Sequence, residues 1–175
     1  MFGPRTRPVR YLTAAEKAQE LTTWLVACAD MPCDVSAWSD ERGFPDPPMI
    51  PWCEKINRLE GICTVQSCGG HRRTDGSIVS GHLWLRLSRE VSERFDQTAL
   101  GFAAQPGIEQ VSRLYAPWGA EVAAVVFAAG DRTRLNRSMR VVLRYLRGIA
   151  TSGRCRSIPS PGTRCRVRQT SVSCS

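Results

Sequence analysis

Apolar side chains recur at helical spacing near the start of the chain. The spacing i, i+3, i+4, i+7 predicts an amphipathic helix over residues 14–29, and the positions that carry it are Leu21, Trp24, Leu25 and Cys28. Thr13-Ala14-Ala15-Glu16 precedes them and forms a capping box. The Thr13 hydroxyl accepts a hydrogen bond from an amide of the first turn, and the Glu16 carboxylate accepts one from the Thr13 amide. The pattern therefore predicts both this helix and its first residue.

Three further helices are predicted from the same period. One runs from Pro48 or Pro51 to Leu59, because proline is tolerated in a first helical turn. A third is capped by Ser88, and a fourth is capped by Asp131. Apolar residues of the fourth are spaced 4, 3, 4 and 3, which predicts one inner face made of Leu135, Met139, Val142, Leu146 and Ile149.

Strands are predicted between these helices, at residues 62–66, 82–87, 107–115 and 121–128. Leucines at 83, 85 and 87 alternate with His82, Trp84 and Arg86, so one face of that strand is apolar. The element order α-α-β-β-α-β-β-α predicts a single α/β (α+β) domain with a mixed four-stranded sheet and helices packed on it. The domain is expected over residues 13–150, between a basic N-terminal segment (1–12) and a disordered basic tail (151–175).

The positive charge is concentrated at the end of the chain. Eleven arginines and no acidic residue follow Asp131, so residues 132–175 carry +11 and residues 1–131 carry 8 − 11 = −3. Such a distribution favours contact with a polyanion such as RNA through the arginine-rich C-terminal end. Two alternatives stay open. The arginines at 137, 140, 144 and 147 are also typical of a solvated helix face, and a basic tail could instead dock an acidic protein.

Other features narrow the class of protein. No run of about 18 apolar residues exists, so no membrane span is expected, and no apolar signal core follows the basic N-terminus. A cytoplasmic protein is expected, and the eight cysteines are then not expected to form a disulfide framework. Neither a Walker loop nor a G-x-S-x-G motif occurs. The missing motifs argue against common nucleotide hydrolases more than against methyltransferases.

The segment Ser67-Cys68-Gly69-Gly70-His71 follows the first strand and has three interpretations. Cys63, Cys68 and His71 have ligand types that zinc prefers, but their spacing along an extended strand is unfavourable and no metal is predicted. Two glycines after a strand can instead present amides as a nest for a phosphate or carboxylate. The third interpretation is a structural turn of small residues.

The nest interpretation assigns roles to individual residues. Ser67, Gly69, Gly70 and Arg72 are the predicted ligand-binding residues, and the predicted catalytic residues are His71, Cys68 and His82. His71 is a candidate for proton transfer or phosphate contact, and Cys68 is a better candidate for a pocket wall than for a nucleophile. If the strands that carry them are neighbours, His71 and His82 could serve as acid and base. Alternatively His82 is an ordinary strand residue.

The stretch "IPWCEKINRLEGICTVQSCGGH" resembles a segment of the tRNA wybutosine-synthesising protein 3 family. In that family a helix ending in Ile-Asn is followed by a strand and by Thr-x-Ser-Ser-Cys-Ser-Gly-Arg. The matching residues here are Asn57, Thr64, Ser67, Cys68 and Gly70, whereas a glycine at 69 replaces serine and a histidine at 71 replaces arginine. The similarity covers about 22 residues, from Ile50 to His71.

This resemblance implies an α/β fold and an RNA- or nucleotide-directed enzyme. The family is assigned S-adenosylmethionine-dependent methyl transfer in tRNA processing, so S-adenosylmethionine is the implied cofactor and RNA or a nucleotide the implied substrate. The two replacements fit a shared fold with an altered site better than the same reaction. The alternative is a non-catalytic binding module for a nucleotide, another anionic small molecule or nucleic acid.

Overall fold

The computed structural model describes residues 11–29, 46–116 and 120–151. For residues 24–29 the description covers the backbone alone. Of the predicted N-terminal segment (1–12) and the predicted tail (151–175), residues 1–10 and 152–175 lie outside the described residues. The helices are α1 (Ala14–Ala29), α2 (Ile50–Asn57), α3 (Arg89–Ala103) and α4 (Arg132–Thr151). The strands are β1 (Ile62–Cys68), β2 (His71–Arg72), β3 (Ile78–Val79), β4 (Gly81–Leu87), β5 (Ile108–Tyr115) and β6 (Glu121–Phe127).

The α/β class and the predicted order of the main elements are confirmed. The four-stranded sheet has the order β1-β4-β6-β5, and all its neighbouring strands are antiparallel, not mixed as expected. The reason lies in the connections. Helix α3 returns the chain so that β5 runs parallel to β4, but β6 then folds back and inserts between them. The short strands β2 and β3 lie between β1 and β4 and form a separate hairpin.

The core lies on one face of this sheet, beneath α2, α3 and α4. All five predicted inner positions of α4 are buried, as are the three leucines of β4. Helix α1 contacts β1 and approaches the opposite face of the sheet, where the Arg86 guanidinium lies 3.3 Å from the Glu16 carboxylate and 3.2 Å from that of Glu20. Arg86 is buried, because these two carboxylates compensate its charge. None of the described helices is long and apolar enough to span a membrane.

The predicted capping box at the start of α1 is confirmed. The Thr13 amide donates to Glu16 Oε2 at 3.0 Å, and the Glu16 amide donates to Thr13 Oγ1 at 3.2 Å. The hydrogen bond from the Thr13 amide, helped by Arg86, lowers the pKa of Glu16 from 4.5 to about 2. Glu16 therefore stabilises the fold as a carboxylate, and this contribution is present above pH 4.5 and is lost as the pH falls from 4.5 towards 2.

We expect Glu16→Gln to lower the free energy of unfolding at neutral pH by about 1 kcal/mol, because the amide keeps the cap but loses the charge facing Arg86. The variant should also lose less stability than the parent between pH 4.5 and pH 2. Urea denaturation at several pH values measures both effects. Glu93→Gln, at an exposed position of α3, is the control. An equal acid dependence in the parent and Glu16→Gln would contradict the assigned role.

Candidate ligand-binding cleft

The loop after β1 is tightly packed around two glycines. Gly70 has φ +74°, and a Cβ at this position would lie 2.5 Å from Ala129 Cβ and 2.5 Å from the Val79 carbonyl oxygen. Gly69 is buried, and a Cβ there would lie 3.1 Å from an Asp46 carboxylate oxygen. At Gly70 the positive φ and the close backbone atoms leave no room for a side chain, whereas at Gly69 an added Cβ would require only a small movement of the Asp46 side chain.

The amides of these glycines have partners within the protein. The Gly69 amide donates to Asp46 Oδ2 at 2.7 Å, and the Gly70 amide donates to the Cys68 sulfur at 3.4 Å. One amide of the predicted nest thus binds a carboxylate, which belongs to a residue 23 positions earlier in the chain, and the other binds a sulfur. Cys68 is half-buried and its sulfur faces the loop backbone, and it does not line the cleft described below. Ser67 is also half-buried and lies opposite Leu83 on β4.

His71 and Arg72 belong to the hairpin and not to the packed loop. Both side chains are exposed, and their strand partners are Val79 and Ile78. The Arg72 guanidinium donates to the Gly76 carbonyl at 3.0 Å, so it closes the hairpin turn. Neither residue lines the cleft described below, although both were predicted to contact the ligand or take part in the chemistry.

His82 lies inside the main sheet, opposite Cys68 on β1 and Val126 on β6. Its ring centroid is 6.1 Å from that of Trp84. Burial lowers the pKa of His82, and the charge of Asp46 partly opposes this effect. Its Nε2 atom is buried without a hydrogen-bond partner among the described residues. The strands that carry His71 and His82 belong to different sheets, so the register does not bring the two imidazoles opposite one another.

A cleft opens beside the two glycines at the end of the sheet. Its volume is about 550 Å³, and its walls come from the loop, from the 3-10 turn Pro47–Met49 with α2, and from the start of α4. Pocket volumes of about 300–1,000 Å³ are typical of sites for small molecules and cofactors. Of the predicted site residues, Gly69 and Gly70 line this cleft.

The other walls of the cleft combine an apolar surface with charges of both signs. Three prolines (47, 48 and 51), Trp52 and Leu135 form the apolar part. The Lys55 ammonium lies 4.7 Å from the centroid of the Trp52 ring, and Arg132 is exposed on the opposite wall. The Asp131 carboxylate accepts the Arg134 amide at 2.8 Å and so caps α4, as predicted. The arrangement can hold a ligand that has a flat apolar part and an anionic group.

No sequence pattern indicated that Trp52, Lys55, Arg132 and Asn136 line a common cleft. Trp52 lies in the predicted second helix, and Arg132 lies in the predicted fourth helix outside the set of arginines at 137, 140, 144 and 147. Two features of the sequence could have indicated this region in part. A proline-rich helix start and an aspartate-capped helix both present polar backbone at an end of the sheet, where binding residues often lie.

The cysteines and histidines do not form a metal centre within the described part of the chain. No group of three His, Cys, Asp or Glu residues there is arranged to hold a metal ion. Cys53 and Cys63 are buried, and burial raises the pKa of the Cys63 thiol to about 11. His71, the third residue of the zinc interpretation, is exposed on the hairpin. The prediction that the protein holds no metal stays a prediction.

Comparisons with known proteins leave the cleft to be interpreted from its own geometry. No family model matches the chain, and no curated protein matches it. A solved structure that it resembles is that of the PH1069 protein from Pyrococcus horikoshii, at 12% identity and a TM-score of 0.38. The similarity covers 78% of this chain and 87% of that chain.

Proposed function

We propose that the chain is an RNA- or nucleotide-directed protein and that its ligand binds in the cleft beside Gly69 and Gly70. One observation supports the proposal: the glycine loop, Lys55 and the first turn of α4 with Arg132 all line the same cleft. A nucleotide combines a flat base with an anionic phosphate. The apolar wall suits the base, and the two cations suit the phosphate.

The electrostatics of the cleft support a ligand whose charge is anionic at one end only. The Asp46 carboxylate accepts the hydrogen bond of the Gly69 amide, and the Asp131 carboxylate accepts that of the Arg134 amide. The cationic side chains that line the cleft and can contact an incoming anion are those of Lys55 and Arg132. Arg132 can form paired hydrogen bonds with a phosphate, whereas Lys55 acts as a point charge.

S-adenosylmethionine, which the resemblance implies as cofactor, fits this set of donors. Trp52 and the prolines offer an apolar surface for an adenine ring, Lys55 can pair with its carboxylate, and Asp131 can accept from a ribose hydroxyl. When bound, this cofactor supplies a methyl group to a nucleophile. In an enzyme of this kind the cleft residues bind and orient the cofactor, and the glycine loop keeps the backbone close to it. We propose methyl transfer to RNA or a nucleotide as the reaction, in which Trp52 and Lys55 would hold the methyl donor and Arg132 would hold the phosphate of the acceptor.

Binding without catalysis is the second candidate. It is favoured by the positions of the two histidines, since His71 is exposed on the hairpin and His82 Nε2 is buried in the sheet. Turnover of a methyl donor on an RNA or nucleotide substrate would support the enzyme, whereas saturable binding without turnover would support the module.

Lys55→Met tests the cleft directly. The methionine keeps most of the apolar stem over Trp52 but removes the charge, so we expect the affinity for S-adenosylmethionine and for adenosine monophosphate to fall about 10- to 100-fold. Isothermal titration calorimetry measures this change. Arg58→Met is the matched control, because Arg58 is exposed just after α2 and does not line the cleft. Failure of both ligands to bind the parent protein, or equal affinity in the two variants, would overturn the proposed site.

A further inference from the structure

One face of α4 carries four exposed arginines, at 137, 140, 144 and 147, which we call the α4 stripe. At about 100° per residue, they lie within an arc of about 80° on the side of the helix turned away from the core. The rise of about 1.5 Å per residue spreads them over about 15 Å along the axis. The stripe is therefore a narrow line of positive charge, the shape that a linear polyanion can follow.

The charges of the α4 stripe are not compensated by the described residues. None of the four arginines forms an ion pair there, although Arg86 and Arg113 each contact two acidic side chains. No acidic residue follows Asp131 in the sequence, so the helix itself supplies no partner. Arginines three or four positions apart on a helix repel one another. A solvated face normally mixes both signs of charge, and this face does not.

The composition of the surface distinguishes between polyanions. Membrane surfaces and protein interfaces both require apolar side chains among the charges. The large apolar residues that are exposed in the described structure are Ile78, Leu100, Leu114 and Tyr115, and none of them lies on α4. A sugar-phosphate backbone requires no apolar contact, and the guanidinium group matches phosphate oxygens in pairs. The stripe fits a nucleic acid better than a membrane or an acidic protein.

The stripe also leads to the cleft. Arg132 and Asn136, in the first turns of α4, line the cleft, and Arg140 lies one turn beyond Asn136 on the same side of the helix. At about 3.4 Å per stacked nucleotide, the 15 Å of the stripe spans about four phosphates. A flexible strand that follows the stripe would reach the opening of the cleft with its next nucleotide.

We infer that the α4 stripe binds the backbone of a single-stranded RNA, which places one nucleotide of that strand in the cleft. This inference rests on the proposed function for the cleft, but the stripe makes a separate prediction. Neutralising the stripe should remove binding of the strand without changing the affinity of the cleft for a small ligand.

The test compares two variants of the full chain with equal net charge. Arg137→Gln, Arg140→Gln, Arg144→Gln and Arg147→Gln are combined in the first. The second combines the same change at four exposed arginines outside both the stripe and the cleft lining, Arg58, Arg72, Arg73 and Arg89. Fluorescence anisotropy measures binding of a labelled 12-nucleotide oligouridine across salt concentrations, and calorimetry measures adenosine monophosphate binding in each variant.

We expect the stripe variant to bind the oligonucleotide at least 10-fold more weakly, and the slope of log K against log salt to fall by about 3, since each lost phosphate contact contributes about 0.7. The control variant should keep most of the slope. Equal losses in the two variants would reduce the effect to net charge and overturn the inference, as would competition by polyglutamate as strong as that by RNA. Oligonucleotide binding through the stripe without nucleotide binding in the cleft would instead overturn the cleft proposal and its link to the stripe.

Discussion

Gly70→Ala is expected to destabilise the protein by roughly 3 kcal/mol and to abolish ligand binding in the cleft. A left-handed backbone costs an alanine about 1–2 kcal/mol. The added Cβ would also lie 2.5 Å from Ala129 Cβ and from the Val79 carbonyl oxygen, and 3.0 Å from the Gly81 amide nitrogen. Backbone atoms cannot move aside as a flexible side chain would, so the loop must shift at a further cost of about 1–3 kcal/mol.

Gly76→Ala separates these two costs. Gly76 has φ +84° in the hairpin turn, but a Cβ there would meet nothing within 4 Å. We expect this control to lose only the backbone contribution of about 1–2 kcal/mol and to keep full ligand binding. Urea denaturation and calorimetry with S-adenosylmethionine provide both measurements. If the two variants lost the same stability and Gly70→Ala still bound the ligand, the close packing of the loop would have no part in the site.

Asn57→Ala is expected to lower the free energy of unfolding by about 2–5 kcal/mol. Asn57 is buried at the end of α2, and its Oδ1 accepts both the Thr64 amide at 2.8 Å and the Thr64 hydroxyl at 3.0 Å. Both donors are buried on β1, and each would lose its partner at a cost of about 1–3 kcal/mol. This pair of hydrogen bonds fixes α2 against the strand that leads into the glycine loop.

Thr64→Val and the double variant complete a cycle for this pair. Thr64→Val removes the hydroxyl but keeps the hydrogen bond from the residue 64 amide to Asn57. We therefore expect the free energy of unfolding to fall by about 1 kcal/mol. In the Asn57→Ala background the same change should cost less, because the hydroxyl has already lost its acceptor. Chemical denaturation of the four proteins gives the coupling energy. Additive losses would show that the two side chains act independently and that Asn57 stabilises the fold in another way.

The residues on which the family resemblance rests have different roles in the structure. Hydrogen bonds between Asn57 and Thr64 hold α2 against β1, so these two residues have a structural role. Cys68 and Gly70 shape the loop, and the Cys68 sulfur accepts a hydrogen bond from the Gly70 amide. The matched segment therefore accounts for how the glycine wall of the cleft is held in place. The opposite wall, with Asp131 and Arg132, lies far outside that segment.

Local sequence patterns were enough to predict the main helices and strands and the buried face of α4. Caps and periodicity are local, because the capping residue and its amide lie within one turn and buried positions repeat every three to four residues. The Thr13 and Ser88 caps, the Asp131 cap and the buried side of α4 were all predictable for this reason. The composition of the α4 stripe is also a property of the sequence alone.

The way in which these elements meet depends on contacts between distant parts of the chain. The insertion of β6 between β4 and β5 makes the sheet antiparallel, and no local pattern specifies it. Asp46 reaches the Gly69 amide across 23 residues, and Lys55 shares a cleft with Arg132 across a longer separation. His71 turns outward because its segment pairs with β3 and not with the main sheet. Such contacts depend on which surfaces pack together. The energy of that packing comes from residues throughout the core, so no single segment of the sequence specifies it.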